Sequence, residues 1–296
     1  MTFSIVARST DGSALGVAVA SKFLAVGAAV PAAEAEVGAL ATQAYANLAF
    51  RPQGLALLRT GTSAAAVVAG LVAADGGRAQ RQLGVVGPAG DGASFTGEDC
   101  HDWAGGAAGD GYAIQGNILT GPEVVEAMRD AWCASTREAL RAGSDALRAG
   151  SDDPRFGHRL LAALRAGDEA GGDRRGRQSA ALLVVAKGQG YGGTSDIAID
   201  LRVDDHPDPV AELARLLEIH TLLFDKPDPA TLLDLTGEVA EEVARRLTAA
   251  GYPVDSDDAG ALEEALASWA SVENLEERLV PRRLDPLVLE HLRGLG

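Results

Sequence analysis

The N-terminal two thirds of the chain alternates short apolar runs with turn residues, a pattern typical of β-strands joined by tight turns. Phe3–Arg8 and Leu15–Ala20 flank Asp11-Gly12, a dipeptide that favours hairpins because its residues tolerate positive φ. The spacing predicts a hairpin over the first twenty residues. An apolar run at 26–31 follows, and further strands are predicted at Val37–Ala46, Gln82–Val86, Gly92–Thr96, Tyr112–Leu119, Ser179–Ala186 and Ile197–Val203.

Apolar residues at helical spacing indicate four later regions. Arg51–Ala74 predicts two short helices separated by Gly61-Thr62-Ser63. The other regions are Val124–Ala166, Val210–Phe224 and Ala230–Gly296. The linker at 225–229 contains two prolines, and residues before proline disfavour the helical conformation. We therefore predict two domains, 1–226 and 227–296, of which the second is small and helical.

Charge narrows the possible partners. The formal net charge is −16 and the pI is near 4.7. Such a balance repels phosphate backbones and anionic lipid surfaces, so we predict neither nucleic acid nor membrane as a partner. No run approaches the length of about 18 apolar residues that a membrane span needs. With no signal-peptide pattern at the N-terminus, the predicted location is the cytoplasm.

Metal and thiol chemistry find little support in the sequence. Cys100 and Cys133 are too few for a disulfide framework and lack metal-ligand spacing. The densest group of metal-binding residue types is Asp204, Asp205, His206 and Asp208. We interpret this group as a strand end and a helix cap before Pro209. The sequence predicts neither a metal ion nor a cofactor.

Thr2 is the first candidate for chemistry. A threonine hydroxyl is a poor nucleophile and needs a nearby base. Removal of Met1 makes Thr2 the terminus, and its α-amine, with an ordinary pKa of about 7.7–8.0, then serves as that base. In a hairpin that turns near residue 12, Thr2 lies opposite roughly residue 22, where Lys22 would lower the pKa of the amine. The alternative is that Thr2 is an ordinary first residue of a strand.

Polar side chains within or beside other apolar strands form a second group of candidates. They are Gln43, Asn47, Asn117, Arg177, Gln178 and Ser179. Each alone is typical of a buried, hydrogen-bonded polar residue or of a turn. Together they are able to line one pocket.

Several stretches resemble a known family. They are TFSIVAR, GVAVASKFLAVGAAVP, ATQAYAN, RQLGVV, YAIQGNILTGPEVVEAM, GDRRGRQSAALLVV and DLRVDDHPDPVAEL. Over roughly residues 1–225 the chain resembles the DUF1028 family, a group with a fold of the N-terminal nucleophile (Ntn) hydrolase type. The resemblance implies an α+β fold: a four-layer αββα sandwich of two antiparallel sheets between helical layers. The stretches LTAAGYPVD and ALEEALASWASVENLEERLV resemble a small peptidoglycan-binding-type domain.

The resemblance also implies roles for the candidate residues. In Ntn hydrolases the first residue of the mature chain is the nucleophile and amide bonds are the usual target. Thr2 matches that position, and Lys22 takes the role of the lysine that tunes the amine. From their polarity and strand position rather than from the family, Asn47 and Asn117 are candidate catalytic contacts to an oxyanion. The candidate substrate contacts are Gln43, Arg177, Gln178 and Ser179.

Three functional hypotheses follow. The first is an Ntn-type hydrolase that cleaves a small amide, a cyclic amide or a related C–N bond. The second is a binding protein for peptidoglycan or another small ligand that keeps this fold without the chemistry. The third is a structural homo-oligomer, and a homodimer is also the expected state of the hydrolase.

Overall fold

The structure is a computed structural model that describes residues 2–146, 155–254 and 259–294. Contacts between Cα atoms divide the chain into two compact units, Met1–Leu217 and Glu218–Gly296. The division falls within the helix Pro209–Phe224, upstream of the linker at which the sequence predicts a domain boundary.

The first unit contains most of the strands. They are β1 (Thr2–Arg8), β2 (Ala14–Ser21), β3 (Pro31–Glu34), β4 (Gly38–Ala44), β5 (Arg81–Val86), β6 (Gly92–Thr96), β7 (Gly105–Gly109), β8 (Tyr112–Asn117), β9 (Ser179–Ala186) and β10 (Ile197–Val203). Its helices are α1 (Val26–Ala29), α2 (Phe50–Arg59), α3 (Ala64–Ala74), α4 (Glu123–Ala146), α5 (Phe156–Glu169) and the first part of α6 (Pro209–Phe224).

Two antiparallel sheets form the centre of this unit. One has six strands in the order β10-β9-β2-β1-β8-β7, and the other has four in the order β3-β4-β5-β6. Every residue of β2 is buried, because both faces of the larger sheet are covered. This explains why the central strands appear in the sequence as nearly continuous apolar runs.

The packing produces four layers. On the outer face of the larger sheet, Phe3 and Ile5 pack with α4, α5 and α6. Between the sheets, Val6 and Val17 meet apolar residues of β4 and β5. On the outer face of the smaller sheet, Leu83 packs with α2 and α3. The expected αββα arrangement of two antiparallel sheets is therefore present.

The second unit is a small helical region. Its elements are β11 (Leu233–Asp234), α7 (Gly237–Ala249), α8 (Ala259–Glu273), β12 (Arg283–Leu284) and α9 (Pro286–Gly294). Trp269 lies at the centre of its apolar core, with Val243 and Leu289. The unit also buries an ion pair, in which Arg278 Nη1 donates to Asp285 Oδ2 at 2.5 Å.

Most predicted elements are present, and the differences are local. Ser63 caps α3 by accepting a hydrogen bond from the Ala66 amide, as the break between the two helices predicts. The apolar run at 26–31 is not one strand, because it contains α1 and only the first residue of β3. The predicted helix Val124–Ala166 is α4 followed by α5, and residues 147–154 between them lie outside the described residues. Among the helices of the described ranges, none is long and apolar enough to cross a membrane.

Candidate functional site

A row of polar residues crosses four neighbouring strands at one end of the larger sheet. The register pairs Thr2 with Asn117 of β8, and it pairs Ser21 of β2 with Ser179 of β9. Continuing the β1–β2 register from Phe3↔Ala20 by one residue brings Thr2 opposite Ser21. Directly opposed residues share a face of the sheet, and alternation along β1 places Thr2 on the face of Val6, towards the smaller sheet. All four residues are buried, Thr2 at 6% exposure.

The Thr2 hydroxyl lies against a second hydroxyl. Thr2 Oγ1 and Ser21 Oγ are 3.1 Å apart, within hydrogen-bond distance. Ser21 also lines a cavity of about 10 Å³, together with Asp168 and Asp173. A cavity of this size has room for about one water molecule. The hydroxyl of Thr2 therefore has a hydrogen-bonding partner, and a small cavity lies next to that partner.

Two side-chain amides hold the peptide oxygen of Thr2. Gln43 Nε2 donates to Thr2 O at 3.2 Å, and Asn117 Nδ2 donates to the same oxygen at 3.4 Å. Both amides also donate to Gln82 Oε1, at 2.8 and 2.9 Å respectively. The two predicted contact residues thus come together with Thr2, with their N–H groups directed to the protein itself.

The amides belong to a larger buried network between the sheets. Ser4 Oγ donates to Gln43 Oε1 at 2.7 Å, and Gln115 Nε2 donates to Ser4 Oγ at 2.6 Å. Gln82 and Gln115 are fully buried, and neither is among the site residues that the sequence predicts. The sequence feature that could have identified them is a side-chain amide at an inward-facing position of an otherwise apolar strand.

Gln115 has a close fit with the opposite sheet. Its Oε1 is buried and has no hydrogen-bond partner among the described residues. A Cβ built on Gly84 of β5 would lie 2.0 Å from this oxygen. Only glycine leaves room there for the glutamine side chain.

Lys22 lies one residue beyond the partner of Thr2. The hairpin closes over Ser9–Ala14, with Arg8 paired to Leu15, so Thr2 is aligned with Ser21 rather than with residue 22. The Lys22 side chain is exposed, and its Nζ donates to the Arg177 carbonyl at 3.3 Å. The sequence predicts that Thr2 lies opposite roughly residue 22, and the register aligns it with Ser21, one residue away.

Asn47 is not brought to Thr2. Its Nδ2 donates to Asp75 Oδ2 at 3.2 Å, and its Oδ1 accepts from the Ala49 amide just before α2. Asp75 also pairs with Arg81 at 2.8 Å. The Arg81 guanidinium, the Gly77 amide and Asn47 together lower the pKa of Asp75 to about 2. Asn47 therefore stabilises the loop before α2 and the ionised carboxylate of Asp75.

The remaining candidates lie around the start of β9. Arg177 is exposed and pairs with Asp168 at 2.8 Å, a contact that raises the pKa of the guanidinium. Gln178 Nε2 donates to Asp205 Oδ1 at 3.1 Å. Ser179 Oγ accepts from the Val26 amide at 3.1 Å and donates to a carbonyl of the loop after β2. Ser179 is thus the only one of these three in the polar row of Thr2.

The acidic group at 204–208 does not gather into a metal centre. His206 Nδ1 accepts from the Asp208 amide at 3.0 Å, immediately before α6 begins at Pro209. Throughout the part of the chain that the structure describes, no group of three or more His, Cys, Asp or Glu side chains is placed to hold a metal ion.

The second unit contains a separate groove of about 380 Å³. It is lined by Glu218, Thr221 and Leu222 of α6 and by Leu287, Glu290 and His291 of α9. Apolar side chains and two carboxylates thus border the same space.

Comparisons with known proteins agree with this architecture. The family described as "Family of unknown function (DUF1028)" matches residues 2–213, and the one described as "Putative peptidoglycan binding domain" matches residues 223–292. The crystal structure of protein SPO2555 from Silicibacter pomeroyi, also of DUF1028, is similar at 29% identity and a TM-score of 0.62. The match covers 81% of this chain and 92% of that one. No curated protein matches. The chain therefore belongs to the DUF1028 family.

Proposed function

We propose that the first unit is an N-terminal nucleophile hydrolase that cleaves a small amide, a cyclic amide or a related C–N bond. After removal of Met1, the Thr2 hydroxyl is the nucleophile and its own amine is the base. One observation carries the proposal. Thr2 opens a central strand, its hydroxyl lies 3.1 Å from that of Ser21, and two amides hold its peptide oxygen.

The chemistry proceeds in two steps. The α-amine of Thr2 takes the proton of the hydroxyl while Oγ1 attacks the amide carbon. It then gives that proton to the leaving nitrogen as the C–N bond of the tetrahedral intermediate breaks and an ester forms on Thr2. Water then hydrolyses the ester. Lys22, near the end of β2, is the cation proposed to keep the amine neutral. Of the two proposed oxyanion contacts, Asn117 lies beside Thr2 but directs its N–H groups to Thr2 O and Gln82 Oε1, whereas Asn47 faces Asp75.

Substrate access requires movement. The cavity beside Ser21 has a volume of about 10 Å³, far below the several hundred Å³ of a typical ligand site. The proposal therefore requires the loop after β2 to shift when a substrate binds. That loop carries Lys22 and the exposed Phe23.

A screen of amides and cyclic ureides tests the proposal. Intact mass first establishes that the preparation begins at Thr2. Hydrolysis is then compared between wild type, Thr2→Ala and Thr2→Ser, with Thr42→Val as the control, because Thr42 is a buried strand threonine outside the polar row. We expect Thr2→Ala to abolish hydrolysis, and Thr2→Ser and Thr42→Val to retain it. An unchanged rate in Thr2→Ala removes Thr2 from the mechanism.

The role of Lys22 has its own test. If the ammonium lowers the pKa of the amine, Lys22→Met shifts the rising limb of the rate–pH profile to higher pH. Lys187→Met is the matched control, because Lys187 is another exposed lysine and pairs with Asp196 at 3.1 Å. If the rate–pH profiles of the two variants are identical, Lys22 does not lower the pKa of the amine.

The alternative to the hydrolase is a non-catalytic binding protein, and for it we propose that the second unit binds peptidoglycan, on the strength of its family match at residues 223–292 and its groove. The test is co-sedimentation of the full chain with insoluble peptidoglycan. Leu287→Arg places a charge in the groove and is expected to reduce sedimentation. Val272→Arg adds the same charge at an exposed position that does not line the groove, and is expected to have no effect. Equal sedimentation of both variants and wild type rules out the groove.

For the hydrolase we also propose a homodimer and a cytoplasmic location. Four large apolar side chains are more than half exposed on loops of the first unit, namely Phe23, Leu24, Tyr45 and Leu48. Exposed apolar patches mark protein interfaces, and we propose that these side chains form one. Light scattering after size exclusion is expected to give twice the chain mass, and Phe23→Ser with Leu24→Ser to give monomers. Cell fractionation tests the location.

A further inference from the structure

We propose that Gln82 is a positioning residue for Thr2, acting through Gln43 and Asn117. The inference rests on the proposed function for its catalytic meaning, and on the hydrogen-bond network for its geometry. Gln82 lies on β5 of the smaller sheet, whereas Thr2 lies on β1 of the larger one. Gln82 has no solvent exposure.

The donor end of Gln82 is fixed by its surroundings. Its Nε2 donates to Gly116 O at 2.7 Å, to Gly105 O at 3.2 Å and to Thr96 Oγ1 at 2.9 Å. Two of these partners are carbonyl oxygens, which only accept hydrogen bonds. The amide nitrogen of Gln82 must therefore face β7 and β8, and the opposite orientation would bring three oxygens together.

The acceptor end of Gln82 then determines two further amides. Its Oε1 faces Gln43 and Asn117, and an oxygen in that position requires both to present their NH₂ groups. Those same NH₂ groups reach Thr2 O, at 3.2 Å from Gln43 and 3.4 Å from Asn117. The orientation of the Gln82 amide therefore determines which groups of Gln43 and Asn117 face the peptide oxygen of Thr2.

Fixing that oxygen also fixes the nucleophile. Holding the Thr2 oxygen restricts rotation about the Cα–C bond of Thr2, and this rotation relates the Thr2–Phe3 peptide to the Cα–Cβ bond that carries Oγ1. A displacement of about 1 Å at a reacting group costs about 100-fold in rate.

The test compares two variants of the same network. Gln82→Met keeps the side-chain length and removes the contacts to Gln43 and Asn117. Thr96→Val removes one hydrogen bond from the far end of Gln82 and leaves the contacts of Oε1 in place. Both variants are expected to melt at lower temperature than wild type, so Thr96→Val controls for a general loss of stability.

The first readout is the labelling of mature Thr2 by a β-lactone, followed by intact mass. The hydroxyl attacks the lactone carbonyl, the ring C–O bond breaks, the ring oxygen takes the proton, and the whole lactone is added as an ester. We expect Gln82→Met to lower the maximal labelling rate about 100-fold at unchanged half-saturation. Thr96→Val is expected to label at the wild-type rate. The inference is overturned if Gln82→Met labels at the wild-type rate. It is also overturned if Thr96→Val and Gln82→Met lower the labelling rate equally.

The second readout does not need a reactive Thr2. In protein with ¹³C-labelled carbonyl carbons, the Thr2 carbonyl shift is expected to change in Gln82→Met and to match wild type in Thr96→Val. If wild type begins at Thr2 but takes no label, the proposed nucleophile is wrong, and the carbonyl shift alone decides the role of Gln82. A Thr2 shift that Gln82→Met leaves unchanged overturns the positioning inference in either case.

Discussion

Gln43→Met is the substitution that most directly tests the buried amide network. Methionine has nearly the same length and no amide, so the side chain still fills its place between the sheets. Gln43 is 1% exposed and makes four hydrogen bonds. Its Nε2 donates to Thr2 O, Gln82 Oε1 and Gln115 O, and its Oε1 accepts from Ser4 Oγ.

The expected loss follows from which partners keep another hydrogen bond. Thr2 O and Gln82 Oε1 both retain Asn117 as a donor, so each loses a net contribution of about 0.5–1.5 kcal/mol at most. The Ser4 hydroxyl loses its acceptor inside the core, which costs about 1–3 kcal/mol. We expect Gln43→Met to lower the free energy of unfolding by about 3 kcal/mol in total.

A double-mutant cycle separates this reasoning from general core damage. Ser4→Ala alone leaves Gln43 Oε1 without its donor, whereas Ser4→Ala in the Gln43→Met background removes a hydroxyl that has already lost its acceptor. The two substitutions should therefore be less than additive, with a coupling of about 1–2 kcal/mol. Additivity within about 0.5 kcal/mol would falsify the network as described.

Urea unfolding followed by tryptophan fluorescence measures these free energies. The chain has three tryptophans, of which Trp103 and Trp132 lie in the first unit and Trp269 in the second. Carrying the Gln43 and Ser4 variants in a Trp269→Phe background confines their signal to the first unit. An unchanged slope of free energy against urea confirms that only stability has changed.

Three further perturbations have clear expected outcomes. Gly84→Ala brings a Cβ to 2.0 Å from Gln115 Oε1 and is expected to lower unfolding free energy by about 1–3 kcal/mol in urea titrations. Asp75, whose pKa is lowered to about 2 from an ordinary value of about 3.9, contributes stability that is complete above about pH 4 and lost as pH falls towards 2. Melting curves of Asp75→Asn should lack that acid dependence. Arg278→Met leaves buried Asp285 without its cation and should cost the C-terminal unit about 3–5 kcal/mol, measured by the fluorescence of its tryptophan in urea.

Each of these has a matched control or a contradicting result. Gly70→Ala in α3 meets no atom within 4 Å and is expected to be neutral or stabilising by up to about 1 kcal/mol. Arg165→Met breaks an exposed ion pair with Glu169 and should cost less than about 1 kcal/mol. If Asp75→Asn keeps the wild-type acid dependence between pH 4 and pH 2, another carboxylate is responsible.

The strands were accessible from sequence because their signals are local. Ser179–Ala186 and Ile197–Val203 were predicted with the bounds that the structure gives, since each is a compact apolar run between turn residues. The run at 26–31 was harder, because four residues of helix and the start of a strand share one unbroken apolar pattern. Periodicity over so few residues does not distinguish the two conformations.

Strand register brings Asn117 beside Thr2, whereas Gln43 reaches Thr2 from β4 of the smaller sheet. Asn117 and Gln43 reach Thr2, whereas Asn47 lies only four residues after Gln43 and turns to Asp75. Gln82 was missed because its role depends on contacts between two sheets, and a single strand does not reveal which sheet it faces. The turn of the hairpin likewise aligns Thr2 with Ser21, whereas the sequence predicts roughly residue 22.

The fit between Gln115 and Gly84 constrains how this protein can change over time. A larger residue at 84 displaces the end of the Gln115 side chain, which donates to Ser4, and a smaller residue at 115 removes that donor. Single substitutions at either position therefore pass through a less stable intermediate, while paired replacements avoid it. Relatives that differ from this chain at one of these positions should therefore also differ at the other, so the residue at one position predicts the residue at the other.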